Sequence, residues 1–75
     1  VVIGTSRDGM SFRADKEALK KGFDANTLIH ELKGAYGPEV LSGGGHAPAA
    51  SMRFNEGAGP AIVGEAMKRI RKLLA

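Results

Sequence analysis

Polar and apolar positions alternate with two different periods along this chain, and glycine, proline and aspartate mark the changes. Val1 to Thr5 is apolar and partly β-branched, which predicts a strand. Asp8-Gly9 is a two-residue hairpin signal. Met10 to Ala14 then alternates, with Met10, Phe12 and Ala14 on one face and Ser11 and Arg13 on the other. A lone hairpin is marginal in water, so this apolar face needs helices to cover it. Asp15 is placed to cap a short helix over Lys16 to Lys21, which Gly22 ends. Asp24 or Asn26 caps the next helix, where Leu28, Ile29, Leu32, Ala35 and Tyr36 recur at helical spacing until Gly37-Pro38 stops it. Gly34, inside that pattern, marks an early end or a close contact.

Val40-Leu41 leads into a glycine run, read as a loop, and Ala49 to Phe54 predicts a further strand with Ala50, Met52 and Phe54 inward. Asn55 to Gly59 reads as a loop, and Pro60 suits the first turn of a final helix. Ile62, Val63, Ala66, Met67, Ile70, Leu73 and Leu74 supply its apolar stripe. The expected fold is a small α/β domain: a sheet of about three or more strands packed against two main helices, with no internal repeat or linker.

Size and charge narrow the function classes. At 75 residues the chain is one domain, with a net stability of only a few kcal/mol expected. Its opening Val-Val-Ile-Gly reads as a strand already in progress, so a fragment of a longer protein is expected. The chain has no cysteine, which excludes disulfides and thiolate metal sites. No apolar run approaches the length of a membrane span. Eleven basic against 8 acidic residues give a net charge of +3, which permits a nucleic-acid partner without requiring one. Lys68, Arg69, Arg71 and Lys72 crowd the last helix, and Lys16, Lys20 and Lys21 form a second group. The plain reading of both groups is solubility and a favourable helix dipole.

The candidate chemistry centres on Gly43, Gly44, Gly45 and His46. Glycines expose backbone N–H groups, and successive N–H groups pointing one way form an anion-binding nest. The run is neither a P-loop, since no Lys-Ser/Thr pair follows, nor a GxGxxG fingerprint. A plain surface turn is the competing reading. His46 can donate to a phosphate or a sugar hydroxyl, or act as a general acid or base. No acidic partner stands at a defined spacing from it, and Ser42 and Ser51 form no recognisable triad, so no catalytic residue is assigned. Arg13, on the polar face of the second strand, has the donor fork that suits a phosphate, whereas Arg7 at the turn reads as solvent-facing. His30 reads as a surface or boundary residue, and Phe12, Phe23 and Phe54 as core. Asp8, Asp15 and Asp24 each have a local turn or capping role, and no metal-ligand spacing is present.

With those residues in view, Ser42-Gly43-Gly44-Gly45-His46-Ala47-Pro48-Ala49-Ala50 resembles the GGGHxxAAG signature of the DHHA1 domain, the C-terminal substrate-binding part of DHH-family phosphoesterases. Met10-Ser11-Phe12-Arg13-Ala14 resembles that family's SxR strand, and Gly22-Phe23-Asp24-Ala25-Asn26 the start of the intervening helix. The resemblance covers about residues 2 to 74. It implies one DHHA1-like substrate-binding domain over residues 1–75, the C-terminal fragment of a longer cytoplasmic protein. Arg13, Gly43, Gly44, Gly45 and His46 would then hold the phosphate or nucleotide. The implied cofactor, Mn²⁺ or Mg²⁺, lies in an N-terminal DHH domain and not in this chain, so the fragment alone is expected to be inactive. Single-stranded nucleic acid or a short oligonucleotide, that DHH domain and a second copy of the chain are the expected partners, with no membrane. The insert Asp15 to Phe23 is most similar to archaeal RecJ-like nucleases. Three alternatives stay open: the substrate domain of a small-nucleotide phosphatase, nanoRNase or cyclic-dinucleotide phosphodiesterase; a non-enzymatic nucleic-acid-binding module; and pure scaffolding or dimerisation with the glycine run idle. Ser51 departs from the signature, standing where the family has glycine.

Overall fold

The computed structural model describes residues 1–75. Its elements are β1 (Val2–Thr5), β2 (Gly9–Arg13), α1 (Lys16–Lys20), α2 (Ala25–Tyr36), β3 (Val40–His46), β4 (Ala49–Phe54) and α3 (Gly59–Leu74), with single 3₁₀ turns at Gly37–Glu39 and Glu56–Ala58. The four strands form one antiparallel sheet in the order β1-β2-β4-β3. This is the small α/β arrangement expected of the sequence, with a four-stranded sheet and two long helices.

Strand alternation decides the layering. Met10, Phe12, Ala50, Met52 and Phe54 are buried on one face of β2 and β4, and Ser11, Arg13, Ala49, Ser51 and Arg53 are exposed on the other. The helices cover the apolar face. Helix α2 brings Ala25, Leu28, Ile29 and Leu32, and α3 brings Ile62, Ala66 and Ile70. Phe12, Phe54, Ile29, Leu32 and Ile62 are the largest fully buried side chains. Helices α1 and α2 both start at aspartate caps: Asp15 accepts from the Ala18 N–H at 2.9 Å, and Asp24 accepts from the Thr27 N–H at 3.0 Å. Between the long helices, Tyr36 donates to the Ala61 carbonyl at 3.2 Å, and Arg69 bridges Glu65 at 2.8 Å and Glu31 at 3.3 Å. No helix is long and apolar enough to cross a membrane.

Three expectations are corrected. The glycine run is not a loop: Gly43, Gly44 and Gly45 lie in β3 and pair with Met52, Ser51 and Ala50 of β4. Asp8-Gly9 does not form a two-residue turn. Gly9 is already the first residue of β2, and the turn spans residues 6–9, closed by the Ser6 N–H donating to the Gly9 carbonyl at 2.9 Å. Asp8 instead supplies the carbonyl that accepts from the Phe54 N–H at 2.9 Å, joining the turn to β4. Finally, β2 ends at Arg13, and the Ala14 N–H donates to the Pro48 carbonyl of the β3–β4 turn at 2.9 Å.

Candidate functional site

The uncovered face of the sheet is built from three cross-strand rows. The central row is Gly4, Ser11, Ser51 and Gly44. On one side lies Val2, Arg13, Ala49 and His46, and on the other Gly9, Arg53 and Ser42. Small residues therefore make the floor, and larger cationic or polar side chains rise only at its ends. A Cβ on Gly4 would sit 2.8 Å from the Ser11 Oγ, which keeps even the β1 edge of that floor low.

Two shallow depressions occupy this face. One, of about 350 Å³, is lined by Ser11, Arg13, Gly44, Gly45, Ala49 and Ser51, with Phe12 and Ala50 also contributing. The other, of about 410 Å³, runs past Gly4, Gly9, Ser11, Ser51 and Arg53. Ser11 and Ser51 belong to both, so the two form one trough across the sheet. A separate groove of about 410 Å³ lies on the opposite side of the molecule, between the start of α2 and the end of α3, against Phe23, Leu28, Ile70 and Leu73. It holds none of the sequence-derived site residues.

The register brings Arg13 and His46 together, each beside Ala49 on its own flank. Gly44 and Gly45 line the depression together with Arg13, and His46 lies outside its lining, across Ala49 on the edge strand. Gly43 stands on the helix-covered side instead. A Cβ there would lie 2.8 Å from the Ile29 Cγ2 and 2.9 Å from the Met52 Cβ, so its missing side chain lets α2 close against β3. Its carbonyl accepts from the Lys33 Nζ at 2.8 Å, which places a lysine over the outer edge of β3. The glycines do not form a nest: Gly44 at φ 159° and Gly45 at φ 154° both lie at positive φ, which favours glycine, rather than alternating in hand. Gly45 is the most constrained, because a Cβ there would lie 2.5 Å from the Ala49 carbonyl oxygen and 2.6 Å from the Ala50 Cα.

Charge on the open face is positive and unevenly satisfied. Three ion pairs exist in the chain, and Arg13 belongs to none of them. Arg53 is paired with Asp8 at 2.7 Å, at the far end of the trough. The chain gathers no group of three or more His, Cys, Asp or Glu side chains that could hold a metal ion. Arg53 is the site-facing residue that sequence reasoning missed, and Ser51 was given no place on the open face. Their signal was present, because Ser51-Met52-Arg53 repeats the Ser11-Phe12-Arg13 pattern.

No family model matches this chain, and no curated protein matches it. Among solved structures, it superposes with a TM-score of 0.86 on part of a protein described as a member of the s1p family of ribosomal proteins and as a DHH domain. The identity is 30% over 97% of this chain, which spans 17% of the length of that protein. The chain therefore has a fold related to the DHH-domain family, seen there as a small module within a much longer polypeptide.

Proposed function

We propose that this chain is the DHHA1-like, phosphate-gripping domain of a metal-dependent DHH-type phosphoesterase of the RecJ-like single-strand exonuclease kind. The observation that carries the reading is the row Arg13, Ala49, His46, with Gly44 and Gly45 lining the hollow beside it. A phosphate resting over Ala49 meets a guanidinium fork on one side and an imidazole donor on the other. The Ala49 methyl and the glycines leave room for it to approach the sheet closely. Arg13 has no carboxylate to give up in making that contact.

In this reading the chain binds and positions substrate and does no bond-breaking of its own. In this reading Mn²⁺ or Mg²⁺ would be held by a separate DHH domain, where the ions would activate water and offset charge on the scissile phosphate. A nuclear magnetic resonance titration of the chain with a single-stranded oligonucleotide at low salt tests the binding role. Shifts at Arg13, Gly44, Gly45 and His46 are expected, weakened by Arg13→Gln and by His46→Ala. The salt dependence should shallow by about 0.7 in log–log slope for each phosphate contact removed. Shifts confined to Lys68–Lys72 would assign binding to the basic end of α3 and remove the sheet site.

A second reading is favoured by the ribosomal-protein description of the structural relative: a nucleic-acid-binding module without hydrolysis. It gives the same titration. It differs in that the longer protein containing this chain would release no nucleotides from single strands when supplied with Mn²⁺.

A further inference from the structure

The Ser-X-Arg pattern occurs on both central strands, and the register turns the copies into a two-ended device. Ser11 and Ser51 face each other at the middle of the β2–β4 pair. Because the strands are antiparallel, Arg13 and Arg53 leave that centre in opposite directions. Arg13 lies opposite Ala49, and Arg53 lies four positions further along β4, about 14 Å away at the rise of an extended strand. The two depressions join these ends through the shared serines. The strand residues of this face include no carboxylate, and Asp8, in the turn before β2, pairs with Arg53 at its end.

Resting on the proposed function, we propose that Arg53 is a second phosphate contact, that Asp8 occupies it until a ligand arrives, and that an oligonucleotide strand long enough to span the trough displaces Asp8. The separation exceeds that of two adjacent phosphates on one strand and falls within reach of a strand of about five nucleotides. The floor between the ends suits a polyanion, since its central row carries two hydroxyl groups as donors and no bulk. The Arg53–Asp8 pair is open to water, with side chains 68% and 46% exposed. Pairs of that kind contribute little to folding, so a phosphate can replace the carboxylate without unravelling the turn. The turn keeps its backbone bonds from Ser6 to Gly9 and from Phe54 to Asp8 in either state. Arg13, with no internal partner, engages ligands of any length; Arg53 engages only those that reach it. The trough thereby selects for strand length.

The test measures binding of 5′-phosphorylated oligothymidylates of two and five nucleotides to the chain at low salt. Arg13→Gln should weaken both probes. Arg53→Gln should weaken the pentamer by about three- to tenfold and leave the dimer unchanged. Asp8→Asn should strengthen the pentamer severalfold and leave the dimer unchanged, a gain that loss of folding cannot produce. If Arg53→Gln leaves pentamer binding intact, or weakens both lengths equally, the second contact is wrong while the Arg13 site stands. If neither arginine substitution changes binding, the proposed function falls with it.

Discussion

At the scale of single residues, the three consecutive glycines do three different things. Gly45 sits against the β4 backbone and Gly43 against Ile29 and Met52, whereas a Cβ on Gly44 would meet nothing nearer than the Asn26 Oδ1 at 3.8 Å. Backbone cannot move aside as a side chain can. Gly45→Ala should therefore cost most, about 3 kcal/mol or more, since it forces β3 away from β4. Gly43→Ala should cost about 1–3 kcal/mol, because Ile29 must give way in a packed core. Gly44→Ala meets no close atom, but at φ 159° it is strained by backbone conformation alone, so it should cost less than Gly45→Ala, which adds crowding to the same strain. Urea denaturation of the three variants checks the order; equal losses at Gly44 and Gly45 would show that backbone conformation, not crowding, sets the glycine requirement. In the sequence the run reads as one anion-binding unit because a glycine string reports freedom, and says nothing about which neighbour takes up the vacated space.

At the scale of elements, the caps, helices and inner strand faces were legible, since each follows from local chemistry. Asp24 illustrates this. Its carboxylate accepts from the Thr27 N–H, and one residue on, the Ala25 N–H donates to the Ala47 carbonyl at 2.9 Å. The start of α2 is thus tied to the turn that follows His46. Asp24→Ala should lower stability by about 1 kcal/mol, and it should also speed amide exchange at Ala25 more than at Leu32. Equal acceleration at both positions would mean that the cap acts only through global stability. Strand β3 was not legible, because glycine disfavours strands and the partner that overrides this preference, β4, is recognised only once paired. The same holds for the turn over residues 6–9, where Gly9 is drawn into the ladder opposite Arg53. Arg69, between the two long helices, holds its proton more tightly than usual, first through the hydrogen bond to Glu65 and then through Glu31, with burial opposing. A cation whose titration is raised by carboxylates contributes that stability while the carboxylates are charged, and loses it as pH rises through the raised titration. Arg69→Met should thus cost under about 1 kcal/mol, with no pH dependence of Arg69 origin across the neutral range; a cost that changes steeply near neutrality would point to a different group.

At the scale of the whole molecule, the sheet separates folding from binding by its two faces. Neighbouring residues of β2 belong to opposite sides: Phe12 is among the largest fully buried side chains, and Arg13 stands in the open row with Ala49 and His46. A chain of this length has about 4–11 kcal/mol of stability in total. Removing the Phe12 ring should cost about 3–5 kcal/mol, a large part of that total. Arg13→Gln should change stability by no more than about 0.5 kcal/mol, because no internal partner is lost. Circular dichroism during urea titration measures both variants directly. A large destabilisation by Arg13→Gln would mean that this arginine supports the fold, and any loss of oligonucleotide binding in that variant could then be attributed to unfolding. A folded Arg13→Gln chain that binds weakly gives the contrary result, and it makes the open face dispensable for folding. Ser51 belongs to the same exposed face, opposite Ser11 and Gly44, so Ser51→Gly should likewise leave the helix-covered core intact.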